Sequence, residues 1–165
     1  MEVHGKTRPE TRVSVVGALI KINAYIDETP IPWHRPKGDS RYNLPQYEAW
    51  KSRVNMEILE AFLEQTNIGS YPIDGTYLMR VTVFYETREE MEKAPDCSNM
   101  LKGIEDALTG LVWVDDSPKY LFQSGLGVTS EDSDFPPGTY IEIVGTISGQ
   151  PATRIIVPDG IDVLN

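Results

Sequence analysis

The sequence predicts an α+β fold, a mixed β-sheet with about two main helices packed on it. Two observations carry this. Strand-like and helix-like spacings of apolar residues follow one another in the order β-α-β-α-β-β. At 165 residues, 40% of them hydrophobic, the chain also has the apolar material for one sizeable core, and no repeat, low-complexity block or second domain interrupts it.

Residues 1–11 read as a mobile N-terminal tail and residues 12–165 as a single domain. Arg12 to Ile26 mixes β-branched residues with alternation at Val16, Ala18, Ile20 and Ile22, and reads as a long first strand. Asp27 to Asn43 holds Pro30, Pro32, Pro36 and Gly38-Asp39 without apolar periodicity, so it is a loop. It carries Arg35, Lys37 and Arg41 among the aromatics Trp33 and Tyr42, which suits gripping a phosphate backbone and equally suits a solvated loop pinned by Trp33.

Pro45 opens a helix of about five turns, because Tyr47, Trp50, Val54, Ile58, Ala61 and Phe62 recur at helical spacing. Ile68 to Asp74 turns the chain into a second strand, Thr76 to Thr87, with Tyr77, Met79, Val81, Val83 and Tyr85 on one side. A Glu-rich polar connection, Arg88 to Pro95, leads to a second helix capped by Asp96 or Ser98 and ending near Gly110. Lys119 to Val128 and Tyr140 to Ile147 are further strands around the acidic loop Ser130 to Gly138, and Thr153 to Val157 is a short last one.

Charge and cysteine usage narrow the function classes. The charged fraction, 24%, is ordinary, so wholesale disorder is not expected. No apolar run approaches the roughly 18 residues of a membrane span. The polar stretch Met1 to Arg12 does not look like a signal peptide, so an intracellular, cytoplasmic protein is expected. The single cysteine, Cys97, excludes an internal disulfide and a Cys-x-x-Cys zinc site. As a nucleophile it would want a histidine, and neither of the two histidines is near in sequence.

The net charge of −10 weighs against a nucleic-acid partner. Its distribution softens that objection. Residues 1–60 carry nine Lys/Arg and eight Asp/Glu, whereas residues 61–165 carry six against seventeen.

Five of those seventeen acids, Asp96, Glu105, Asp106, Asp115 and Asp116, fall within twenty-one residues around one cation, Lys102. Carboxylates this close need solvent or a divalent ion between them. On the second helix Leu101, Ile104, Leu108 and Leu111 share one side. Ser98, Asn99, Lys102, Glu105 and Asp106 form a stripe on the other. Asp115 and Asp116 follow at the mouth of the next strand, anchored by Trp113-Val114. Carboxylates converging with a lysine suit magnesium-assisted phosphodiester hydrolysis. Helix capping and an ordinary Lys102–Asp106 pair explain the same spacing without chemistry.

The string Asp96-x-x-Asn99-x-x-Lys102-x-x-x-Asp106-Ala107-Leu108, followed by Gly110 and Asp115-Asp116, resembles the signature of the RusA family of Holliday junction resolvases. Upstream, Pro30-x-Pro32-x-x-Arg35-Pro36-Lys37 resembles the family's loop after its first strand, and Tyr47-x-x-Trp50 the start of its helix, so the likeness spans roughly residues 13–145. The resemblance implies a Mg²⁺-dependent homodimer, with Mn²⁺ as a substitute, that nicks four-way DNA junctions. It makes Asp96 and Asp116 metal-binding catalytic acids, Lys102 the catalytic lysine, Asp115 the acid beside the catalytic one, and Asn99 and Asp106 companions on the helix face.

One position departs from the pattern. The family usually has Asp-x-Asp-Asn, and Ser98 stands where the second acid would be. Two readings follow. Glu105, seven residues on along the same face, supplies the missing metal oxygen. Alternatively the site has lost a ligand, and the chain is a catalytically silent protein that binds DNA or another protein. A generic nucleotide hydrolase is weaker still, since no Gly-rich phosphate loop is present.

Overall fold

The computed structural model describes residues 5–33, 44–130 and 135–148; the strand expected at Thr153 to Val157 lies outside them. Among the described residues the architecture is the expected α+β one, a five-stranded mixed sheet with three helices. Two elements differ from the sequence expectation.

The first difference is at the start. Arg12 to Ile26 is two strands, β1 (Arg12–Val16) and β2 (Leu19–Ile26), paired antiparallel from Arg12↔Asn23 to Val16↔Leu19. The chain doubles back through Gly17 and Ala18, and Gly17 takes φ 59°, which a residue with a Cβ rarely adopts. The apolar alternation Val16, Ala18, Ile20, Ile22 runs unbroken in sequence across the turn, but the inward face changes parity there, from Val13 on β1 to Ile20 and Ile22 on β2, and Val16 is 62% exposed.

Helix α1 (Leu44–Gln65) follows, and the six apolar residues that predicted it are all buried. Strand β3 (Gly75–Phe84) turns Tyr77, Met79, Val81 and Val83 inward. The second difference comes next, because the polar connection contains a short helix, α2 (Arg88–Glu92). Its Thr87 cap accepts from Glu90 N at 3.2 Å, and Arg88–Glu92 and Glu89–Lys93 ion pairs span its turns at 2.9 and 2.6 Å. It buries no residue, so it leaves no apolar signature. Helix α3 (Cys97–Leu108) and strands β4 (Leu121–Thr129) and β5 (Gly138–Ile147) complete the order.

The strands lie in the order β1-β2-β5-β3-β4. Strands β3 and β4 run parallel, and the other pairs are antiparallel. Parallel neighbours need a crossover, and here it is made by α2 and α3. The site helix is therefore the connection that closes the sheet's parallel half. Inward residues of β2, β3 and β5 (Ile22, Val81, Ile143) share one core with Trp50 and Ile58 of α1 and with Ile104 and Leu108 of α3.

The segment before β1 is fastened at its end. Thr11 Oγ1 donates to Glu57 at 2.7 Å, its carbonyl accepts from Gln65 at 2.9 Å, and Arg8 pairs with Glu57 at 3.7 Å. No described helix is long and apolar enough to cross a membrane.

Candidate active site

Helix α3 shows why its sequence presents charge on one side. Met100, Gly103, Ile104, Ala107 and Leu108 are buried, the i, i+3, i+4, i+7, i+8 stripe of an amphipathic helix. Met100 takes the core position, and Leu101 is only partly buried, at the stripe's edge. The expected face is thus rotated slightly, and the polar residues remain opposite it.

Asp96 is the N-cap. Its Oδ1 accepts from Ser98 N at 2.8 Å and Asn99 N at 3.4 Å, and the Ser98 hydroxyl donates to the same oxygen. The Ser98 hydroxyl first, then these amides, holds the Asp96 carboxyl below the usual range. Asp96 is exposed, and all three of these bonds fall on Oδ1.

Lys102 lies nearly two turns on. Its ammonium donates to Asp106 Oδ1 at 3.0 Å and stands 3.6 Å from Asp116 Oδ2. The bond to Asp106 does most to raise its pKa; Asp116 and Glu105 add to this while partial burial opposes it. It is an ammonium ion at neutral pH.

The two acids after Lys102 diverge. Asp106 turns toward α1, where its Oδ2 accepts from the Tyr47 hydroxyl at 2.9 Å. Glu105 turns toward β4, where it accepts from the Ser124 hydroxyl. Glu105 therefore stands with Lys102 and Ser124 rather than beside Ser98 at the helix start.

Asp115 and Asp116 are delivered by the chain's return from α3. Gly110 at φ 86° ends the helix, and its N–H donates to Trp113 O at 2.8 Å. Leu111, Val112 and Trp113 are then 4%, 0% and 0% exposed, whereas Val114 is 42% exposed. The anchor is accordingly Leu111-Val112-Trp113, one step earlier than the Trp113-Val114 pair expected. Asp115 is held by Ser117, whose N–H donates at 2.8 Å and whose hydroxyl does most to lower the Asp115 pKa. Asp116 is left half exposed beside Lys102.

The loop after β2 touches this helix at Trp33, whose N–H donates to Asn99 O at 3.0 Å. Its predicted DNA-gripping residues, Arg35, Lys37 and Arg41, lie outside the described residues. The structure thus brings Lys102 to Asp106 and Asp116, turns Glu105 aside to Ser124, sets Asp96 with Ser98 and Asn99 at the helix start, and leaves Asp115 on Ser117. Tyr47 and Ser124 are the site neighbours that sequence reasoning missed. They lie 59 and 19 residues from the acids they bind, and no linear spacing links them.

Among the described residues no three His, Cys, Asp or Glu side chains come together as a metal-holding group. The donors nonetheless suit magnesium, which keeps several waters and takes one or two carboxylates together with substrate phosphate. Asp96 and Asp116 offer exposed carboxylate oxygens of that kind.

The family model described as endodeoxyribonuclease RusA matches residues 27–143, well over half of the chain. No curated protein matches it. Among solved structures, an Agrobacterium tumefaciens protein of unknown function aligns at 13% identity and a TM-score of 0.46, covering 87% of both chains. A Shewanella oneidensis protein provisionally described as an endoribonuclease aligns at 12% identity and 0.45, covering 89% of both. Similarity at this level assigns nothing to the chain.

Proposed function

This chain belongs to the endodeoxyribonuclease RusA family, and we propose that it is a Mg²⁺-dependent, structure-specific nuclease that hydrolyses phosphodiesters in four-way or otherwise branched DNA during recombination, repair or phage DNA processing. The observation that carries this is the ammonium of Lys102, 3.6 Å from Asp116 and fixed by Asp106 on the helix that Asp96 caps.

In the proposed mechanism Asp96 and Asp116 would be the principal residues to hold Mg²⁺, or Mn²⁺ in its place, with Asp115 beside them. The ion, when bound, lowers the pKa of an attacking water and neutralises the leaving oxygen. The chain's own residues do the rest. Ser98 and the first amides of α3 keep Asp96 ionised and fix one of its oxygens, so the other is presented in one orientation. Lys102 stays charged, and its ammonium offsets the negative charge that builds on the phosphate. Arg35, Lys37 and Arg41 of the loop after β2 grip the backbone. A homodimer would present two such sites to the two strands of a junction.

Glu105 is the weakest of the proposed ligands, because Ser124 already engages it. In an assay on a synthetic four-way junction, cleavage should require Mg²⁺ or Mn²⁺, and Asp96→Asn should slow it about 100-fold. Glu105→Gln still accepts from Ser124 and should cost less than about 10-fold. A Glu105→Gln loss as large as that of Asp96→Asn would instead make Glu105 the replacement for the acid absent at Ser98. No cleavage of any branched substrate, with or without metal, would sink the nuclease reading.

One observation favours a second reading. With Ser98 in an acid's place, no three described acidic side chains close around an ion, which fits a silent binding protein on the same fold. That reading predicts no Mg²⁺-dependent rise in melting temperature, and gain of cleavage, if any, in Ser98→Asp.

A further inference from the structure

We propose that Tyr47 of α1 is a positioning residue for Lys102, acting through Asp106. This rests on the assignment of Lys102 as the cation of the cleavage site. It adds a residue from a different helix that the family string on α3 does not contain.

Lys102 is a charge on four rotatable methylenes, and its side chain is 41% exposed. A single ion pair at that exposure orients such a side chain weakly. Asp106, however, is held from both sides. Its Oδ1 faces Lys102 at 3.0 Å, and its Oδ2 accepts the Tyr47 hydroxyl at 2.9 Å. The carboxylate cannot rotate to follow the lysine without losing the tyrosine, so the lysine must come to it.

Tyr47 is itself fixed. The residue is only 7% exposed. Lys51 Nζ lies 5.1 Å from its ring centroid. On the α3 side the ring rests against Gly103, where a Cβ would lie 3.1 Å from Tyr47 Cε2 and 3.4 Å from Ile31 O. With no side chain at Gly103 the ring packs directly on α3, and a Cβ there would crowd it by a few tenths of an ångström. Burial and the bond to Asp106 push the Tyr47 pKa far up, so the hydroxyl remains a donor at any working pH. A rigid donor in the core thus fixes the carboxylate, the carboxylate fixes the ammonium, and the ammonium is left 3.6 Å from Asp116.

The same bond would serve as a plain clasp between helices, and kinetics separate the two roles. Tyr47→Phe keeps the ring and removes only the hydroxyl. Under saturating junction and Mg²⁺, kcat should fall about 10- to 100-fold, the cost of a cation left loose by an ångström or so. KM should change less than about 3-fold, because the DNA contacts are elsewhere. The double variant Tyr47→Phe/Asp106→Asn should be no slower than Asp106→Asn alone, because a residue acting through another adds nothing once that one is gone. Asp106→Asn leaves the tyrosine ring untouched and tests the same link should Tyr47→Phe fold poorly in a thermal melt; its own kcat loss with KM kept is then the expected result. Full kcat in either single variant, or losses that multiply in the double, would overturn the proposal. If Lys102→Met cleaves normally in the same assay, the assignment of Lys102 is what fails.

Discussion

Lys102→Met should slow cleavage of a four-way junction about 10³-fold, with junction binding in a gel shift nearly unchanged. The size follows from what is removed. A preorganised cation aimed at charge that develops in a phosphoryl transition state contributes on the order of 10²- to 10³-fold, and more when it bears directly on the transferring group. Methionine keeps an apolar stem of similar length, so the packing of the lysine's methylenes survives. The variant does leave Asp106 and Asp116 without their shared cation, an additional repulsion that weakens the same site. At 41% side-chain exposure, water screens that repulsion well enough for the fold to persist. A loss smaller than 10-fold would remove Lys102 from the chemistry.

The largest stability effect is expected at Trp113. Trp113→Ala should cost about 3–5 kcal/mol, the usual range for deleting a fully buried aromatic side chain. That is a large part of the 5–15 kcal/mol that holds a typical domain together. Trp113 is 0% exposed, its ring lies 6.0 Å from that of Tyr77, and its Nε1 donates to Thr109 Oγ1 at 3.2 Å. The tryptophan also sits three residues before Asp116, in the buried tripeptide that delivers the two aspartates. Trp113→Ala should therefore lower the urea midpoint sharply, and cleavage should fall even where the protein remains folded. Trp113→Phe keeps most of the apolar surface and loses chiefly the hydrogen bond, about 1 kcal/mol. Equal losses in the two variants would mean that packing is not what Trp113 contributes.

What the sequence revealed, and what it hid, divides by range. Residues whose roles depend on near neighbours were legible. Asp96 and Ser98 both read as the cap because they precede an apolar-periodic run, and of the two it is Asp96 that caps α3. Ile104 and Leu108 read as core and are buried. The pair Lys102–Asp106 is one turn apart and meets. Local features with no apolar signature of their own were not legible. The hairpin at Gly17 lies inside a run whose sequence alternation continues across it although the inward face changes parity there, and α2 rests on a cap and ion pairs with nothing buried. Long-range partners were hidden altogether. Whether Asp106 turns to Tyr47 and Glu105 to Ser124 depends on which element packs on each flank of α3, and the helical pattern fixes only that they differ by about 100°.

Strand β5 holds a further consequence, for synthesis rather than for catalysis. It is the last described strand made, yet it lies between β2 and β3. Until residues 138–147 leave the ribosome, the hairpin β1–β2 and the parallel pair β3–β4 share no backbone ladder, and the facing borders of β2 and β3 stand bare. At ordinary elongation rates that interval lasts on the order of several seconds. A nascent chain in this window is most exposed to pairing with a neighbour on the same message, and it is then that a holding chaperone would serve it best.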